Sequence, residues 1–274
     1  MKLRSRRVRN VLLLLIAAVL AIVLAKVTTT ALRDTSRISG WTILGMVVFL
    51  ALYNVRKRLP FLPLGSSAFW LQSHVYIGLL TAVIFGIHVS WRIPSGVFES
   101  VLALLYMSVF LSGVVGLVLT RSFPTRLATR GEDVLFERIS IYRKRLEDEV
   151  EQIVLRCLRE SDSSSIPQFH AEHLKPFFQR MHNFWPHVLQ SVHPRAMLLG
   201  AINSQERYLN ETERAAMREI ASCVKAKDDL DHQFALQATL KYWLFLHVPL
   251  TYALLVFAVV HLLLLVHAFS GAAG

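Results

Sequence analysis

The chain has 274 residues, is 54% hydrophobic and carries a formal net charge of +11. That apolar fraction, with a positive mean hydropathy, lies outside the range usual for a soluble domain. The positive charge does not indicate nucleic-acid binding, because the excess sits beside apolar runs while basic and acidic residues balance between Arg121 and Leu240.

Five apolar runs are long enough to cross a bilayer, at roughly 10–32, 39–55, 69–91, 97–120 and 241–269. The expected fold class is an all-α membrane protein with five transmembrane helices. These divide into an N-terminal anchor and a four-helix core, with a helical cytoplasmic insertion before the last span. Residues 1–35 form the anchor. Its basic start (Lys2, Arg4, Arg6, Arg7, Arg9), its apolar run and Val-Leu-Ala ending at Ala25 also fit a cleavable signal peptide.

Residues 36–120 hold spans two to four, joined by short loops as in an up-and-down bundle. Arg56, Lys57 and Arg58 follow the second span, and Arg121, Arg126 and Arg130 follow the fourth. Positive charge marks the cytoplasmic ends of spans, so the N-terminus and the insertion are expected inside and the C-terminus outside. Lys26, Arg33 and Arg37 weaken that bias on the first outer loop without breaking the alternation.

The insertion, 121–240, opens with apolar residues at Leu135, Ile139, Tyr142, Leu146, Val150, Ile153 and Cys157, the repeat of an amphipathic helix. SDSSSIP at 161–167 reads as a linker. His170, His173, His182, His187 and His193 follow; His170 and His173 have metal-ligand spacing only if helical, and few carboxylates stand beside them. A helical docking domain is the expectation there, not a metal site. Asn210 and Glu213 mark a helix start of the capping-box kind. No Gly or Pro intervenes from there to Pro249, so one helix can run into the last span, 241–274. The two cysteines, Cys157 and Cys223, form no Cys-x-x-Cys pair, which leaves iron–sulfur clusters and covalently attached haem without ligands.

Two spans share one pattern. Residues 74–88 read HVYIGLLTAVIFGIH and residues 247–261 read HVPLTYALLVFAVVH, each with histidines fourteen residues apart. On an α-helix that spacing gives about 21 Å of rise and about 40° of rotation, so each pair faces one way at two depths of a ~30 Å core. The charge pattern runs both spans in the same direction. His74 then matches His247 near the inner side and His88 matches His261 near the outer side. Facing imidazoles at one level can ligate a haem iron from both sides. Isolated intramembrane histidines can also serve only as hydrogen-bonding groups between helices, yet ionisable residues there are costly and usually functional.

These two segments resemble those of diheme b-type cytochromes, both the quinol-oxidising kind and the ferric reductase or NADPH oxidase membrane domains. The stretch from KDDLDHQFALQ to HAFSG is similar to bacterial cytochrome b/b6-like membrane proteins. The resemblance implies two haems b, with His74, His88, His247 and His261 as axial ligands. It implies electron transfer across a bacterial inner membrane, with a periplasmic C-terminus and a separate redox protein or quinol as partner in a larger redox complex. The chain departs from the reductases and oxidases in having no G-x-G-x-x-G opening a βαβ unit and no flavin or nicotinamide domain after the last span.

Gly78, one turn from His74, and Gly86, half a turn before His88, would leave room for a flat macrocycle, or merely for helix packing. Arg92, four residues past His88, is expected on its face and within reach of a propionate, or as an interfacial anchor. Pro249 should kink the last span. Glu99 and His267 are the outer-side candidates for proton exchange with a quinol; His267 lies about 120° from the His261 face. A quinol-linked oxidoreductase and a non-redox scaffold are the competing functions.

Overall fold

A computed structural model describes residues 2–31, 34–58, 65–128, 130, 134–161, 165–181, 183–191 and 193–271. Among them every regular element is helical. The chain divides into two compact units, 1–118 with 243–274, and 119–242.

The first unit contains α1 (Lys2–Thr30), α2 (Thr35–Arg58), α3 (Ser67–His88), most of α4 (Val97–Leu127) and the last part of α10 (Glu211–Gly271). All five helices are long and apolar enough to cross a membrane, which marks a multi-pass membrane protein. Leu12, Ile16, Val19 and Leu20 on α1, like Leu263 and Val266 on α10, point outward. So much exposed apolar area on membrane-length helices fits a lipid surround. Inside, Val47, Tyr106 and Leu254 bury against Ile43, Phe85, Leu102 and Phe110, drawn from α2, α3, α4 and α10. The Tyr106 ring stacks on Phe85 at 4.0 Å, and its hydroxyl donates to Thr81 Oγ1 at 3.0 Å. A buried hydroxyl with no water nearby needs such an acceptor.

The end of the third helix differs from expectation, while the long last helix runs as expected. The third span stops at His88, not residue 91, because Ser90 (φ 53°) and Trp91 (φ 55°) turn left-handed. The Trp91 amide donates to the Gly86 carbonyl at 2.9 Å, closing the helix. Helix α10 is 61 residues of unbroken helix, or about 90 Å. It exceeds a ~30 Å core about threefold, so its apolar part from 241 onward is the membrane span and its earlier part belongs to the second unit. Pro249 sits inside it without ending it.

In the second unit, α5 (Phe136–Glu160) buries Ile139, Val150, Ile153, Val154 and Cys157. Leu135 belongs to the same sequence repeat but lies before the helix and is exposed. The expected linker is shorter than SDSSSIP, since α6 (Ser165–Phe169) already begins at Ser165 and Ile166 is in the core; residues 162–164 lie outside the described set. A π-helical turn (His170–Leu174) joins α6 to α7 (Lys175–Gln179), followed by α8 (Phe184–Val188) and α9 (His193–Gln205). Leu174, Phe178, Ile202, Met217, Ile220 and Val224 complete this core. The start of α10 is a reciprocal capping box. The Glu213 amide donates to Asn210 Oδ1 at 2.8 Å and the Asn210 amide to Glu213 Oε2 at 2.9 Å.

Candidate functional site

Helix α3 carries His74 and His88 without a break, and α10 carries His247 and His261 through Pro249. Both fourteen-residue spacings are therefore helical spacings, as the same-face argument requires. All four imidazoles are partly buried.

His88 is the most closely held. Its Nδ1 lies 3.0 Å from the Ser36 carbonyl and 3.4 Å from the Ser39 hydroxyl, both on α2. A carbonyl only accepts, so Nδ1 carries the proton and the Nε2 lone pair is left for another partner. Gly40 allows this approach: a Cβ there would come within 3.0 Å of His88 Cε1. His261 stacks on Phe98 at 6.0 Å.

On the other level, His247 Nδ1 is 3.1 Å from the Ser112 hydroxyl, and its ring stacks on Trp243 at 5.4 Å. The Trp243 indole donates to the Ser112 carbonyl at 2.8 Å. It lies so tightly on α4 that a Cβ at Gly116 would overlap it at 1.9 Å. His74 packs against Tyr53 of α2 at 5.2 Å.

The supporting residues divide. Beside Gly78 a Cβ would meet nothing within 4 Å, so the space there is open. Beside Gly86 the Trp91 indole occupies the space, 2.7 Å from where a Cβ would stand. Gly86 thus admits a tryptophan folding back at the helix end. Arg92 lies beyond the end of α3 at His88, after the left-handed pair Ser90–Trp91, and is exposed. Glu99 curls back over Gly96 at the start of α4, and His267 is exposed on α10.

The insertion histidines scatter. His170 and His173 fall on the π-turn, His182 lies outside the described residues, and His193 begins α9. Among the described residues no three His, Cys, Asp or Glu side chains stand close enough to hold a metal. His187 instead joins a buried charged cluster that the linear sequence does not reveal. Lys227 pairs with Asp231, and Arg143 lies 3.3 Å from the same carboxylate. Asp228 serves Arg195 at 3.5 Å, His187 at 3.6 Å and Arg130 at 3.8 Å. Burial raises the Asp228 carboxyl pKa and lowers those of the Lys227 ammonium and the His187 imidazole. The one available signal was KDDLDH on a helix, where i,i+4 spacing sets Lys227 beside Asp231 and Asp228 beside His232.

No family model, curated protein or solved structure matches this chain.

Proposed function

We propose that the protein is a transmembrane electron-transfer cytochrome that holds two haems b, one between His74 and His247 and the other between His88 and His261. The observation that supports this reading is that both histidine pairs keep their fourteen-residue spacing on unbroken helices, with His88 Nδ1 spent on the Ser36 carbonyl and Nε2 left for another partner. A hydrogen bond of that kind from the far ring nitrogen orients a metal-ligating imidazole and fixes its tautomer. The open space beside Gly78 fits the same group. A haem supplies reversible one-electron chemistry when bound.

The protein's own residues do the rest. Four imidazoles would hold the two haems, a donor set that would favour outer-sphere electron transfer over oxygen binding. Ser36, Ser39 and Ser112 orient rings, while Phe98, Trp243 and the apolar core keep the surround at low dielectric. The protein sits in a bacterial inner membrane, N-terminus inside and C-terminus in the periplasm. It exchanges electrons with a separate redox protein or quinol, as a subunit of a larger complex.

The deciding experiment is the visible spectrum of purified protein with a pyridine haemochrome count. Two haems b per chain are expected, with His88→Ala or His261→Ala losing one and His74→Ala or His247→Ala losing the other. Protein with no Soret band would leave the scaffold reading. A quinol-linked reading is favoured by Glu99, which is exposed and next in sequence to Phe98, whose ring stacks on His261. A carboxylate there could accept the protons released by quinol oxidation, and quinol-dependent haem reduction abolished in Glu99→Gln would establish it.

A further inference from the structure

The second unit contains a pocket of about 190 Å³ lined by Arg126, Arg130, His187, Gln190, Ser191 and His232. Every polar side chain on its wall can donate a hydrogen bond, and none is a carboxylate. Arg126 braces the pocket: its guanidinium donates to the carbonyls of His187 and Val188 at 2.7 and 2.8 Å, fixing the 187–191 turn. Gln190 takes a left-handed conformation (φ 63°) in that turn. It and Ser191 are exposed and form the mouth.

Behind the mouth, His187 and His232 are each only 4% exposed, edge to face at 5.7 Å. Neither ring nitrogen of His232 makes a hydrogen bond of ordinary length; the Arg126 backbone is the acceptor acting on it from further off. His187 Nε2 stands 3.6 Å from Asp228, beyond hydrogen-bond length. A buried donor left without a partner costs about 1–3 kcal/mol, so such groups call for a ligand. Among the described residues, Arg130 and Arg195 share Asp228, and Arg195 also reaches Asp229.

We propose that this pocket binds a phosphate group. Donors converge from the end of α4, the 187–191 turn and α10, an arrangement suited to a tetrahedral oxyanion more than to a planar carboxylate. The volume is below the roughly 300 Å³ of drug-sized sites, so it admits a phosphoryl head and little more. Burial holds both imidazoles below their ordinary pKa, His232 at about 4. They are therefore neutral at neutral pH, each carrying a single N–H. The phosphate can come from a lipid headgroup or from a small soluble compound. This site is independent of the haem reading.

The test uses the full chain in detergent, titrated with inorganic phosphate by calorimetry. Saturable binding at millimolar concentration or below is expected, competed by sulfate and not by chloride. Arg130→Gln and the mouth variant Ser191→Asp should each weaken it at least tenfold while thermal unfolding stays cooperative. Native mass spectrometry separates the sources: a retained phospholipid displaced by phosphate assigns the headgroup, and phosphate binding to protein carrying no lipid assigns a soluble ligand. Absence of saturable phosphate binding, or equal affinity in both variants, would overturn the proposal.

Discussion

His88 points Nδ1 at the Ser36 carbonyl, 3.0 Å away, across the one place on α2 where a glycine, Gly40, lets the imidazole come so close. The contact sets both the tautomer and the ring plane. A methyl at Gly40 would stand 3.0 Å from Cε1, tight enough to shift the ring by a few tenths of an ångström. Gly40→Ala is therefore expected to perturb only the haem held by His88, and Gly40→Leu to eject it. Low-temperature spectra resolving the two α bands check this; equal effects on both bands would show that His88 is not a ligand.

Gly113 and Gly116 offer a matched pair on α4. A Cβ at Gly113 would lie 3.7 Å from His247 Cε1, an ordinary contact, whereas at Gly116 it would overlap Trp243 at 1.9 Å. Gly113→Ala should be nearly silent. Gly116→Ala should cost about 1–3 kcal/mol through overpacking and move the Trp243 ring that stacks on His247. Thermal melts together with the spectrum of the His247 haem distinguish the two.

Much of this was legible in the sequence because helices write their rules locally. The five apolar runs, the α5 stripe and the Asn210–Glu213 cap all depend on residues within a turn or two of one another. The chain's turn between Gly86 and Arg92 has a cause that no spacing rule carries. Two non-glycine residues, Ser90 and Trp91, adopt positive φ, where such residues are uncommon. The turn ends α3 early and folds the indole back on Gly86. The charged cluster was hidden because its partners lie far apart in sequence: Arg126 meets His187, and Arg130 meets Asp228. An equal count of acids and bases over 121–240 described that region's sum and missed its buried arrangement.

Topology needs an engineered reporter. Cys157 and Cys223 are free thiols, each 4% exposed, and burial raises both thiol pKa values, that of Cys223 to about 11. Thiolate is the reactive form, so neither will label from either side in the folded protein. Exposed positions serve better. With an impermeant maleimide on intact cells, Ile93→Cys should label and Ser204→Cys should not, if the insertion is cytoplasmic. The reverse pattern would invert the orientation and exchange the inner and outer histidine pairs.

The second unit should lose stability in mild acid. His232 is held at about 4 and His187 below the ordinary 6.5, both chiefly by burial. Between roughly pH 6.5 and 4 the unfolded chain takes up protons at these positions that the folded chain refuses. Stability therefore rises with pH across that window and falls as pH drops through it. His232 alone accounts for roughly 3 kcal/mol if the full shift applies. Asp228 acts in the opposite sense, since its raised carboxyl pKa favours the folded state once it protonates, so the loss flattens at the acid end. Hydrogen exchange of residues 211–240 in the full chain, measured from pH 7.5 to 5, should show opening become easier as pH falls. His232→Asn should shrink that slope; an unchanged slope would place the acid sensitivity elsewhere.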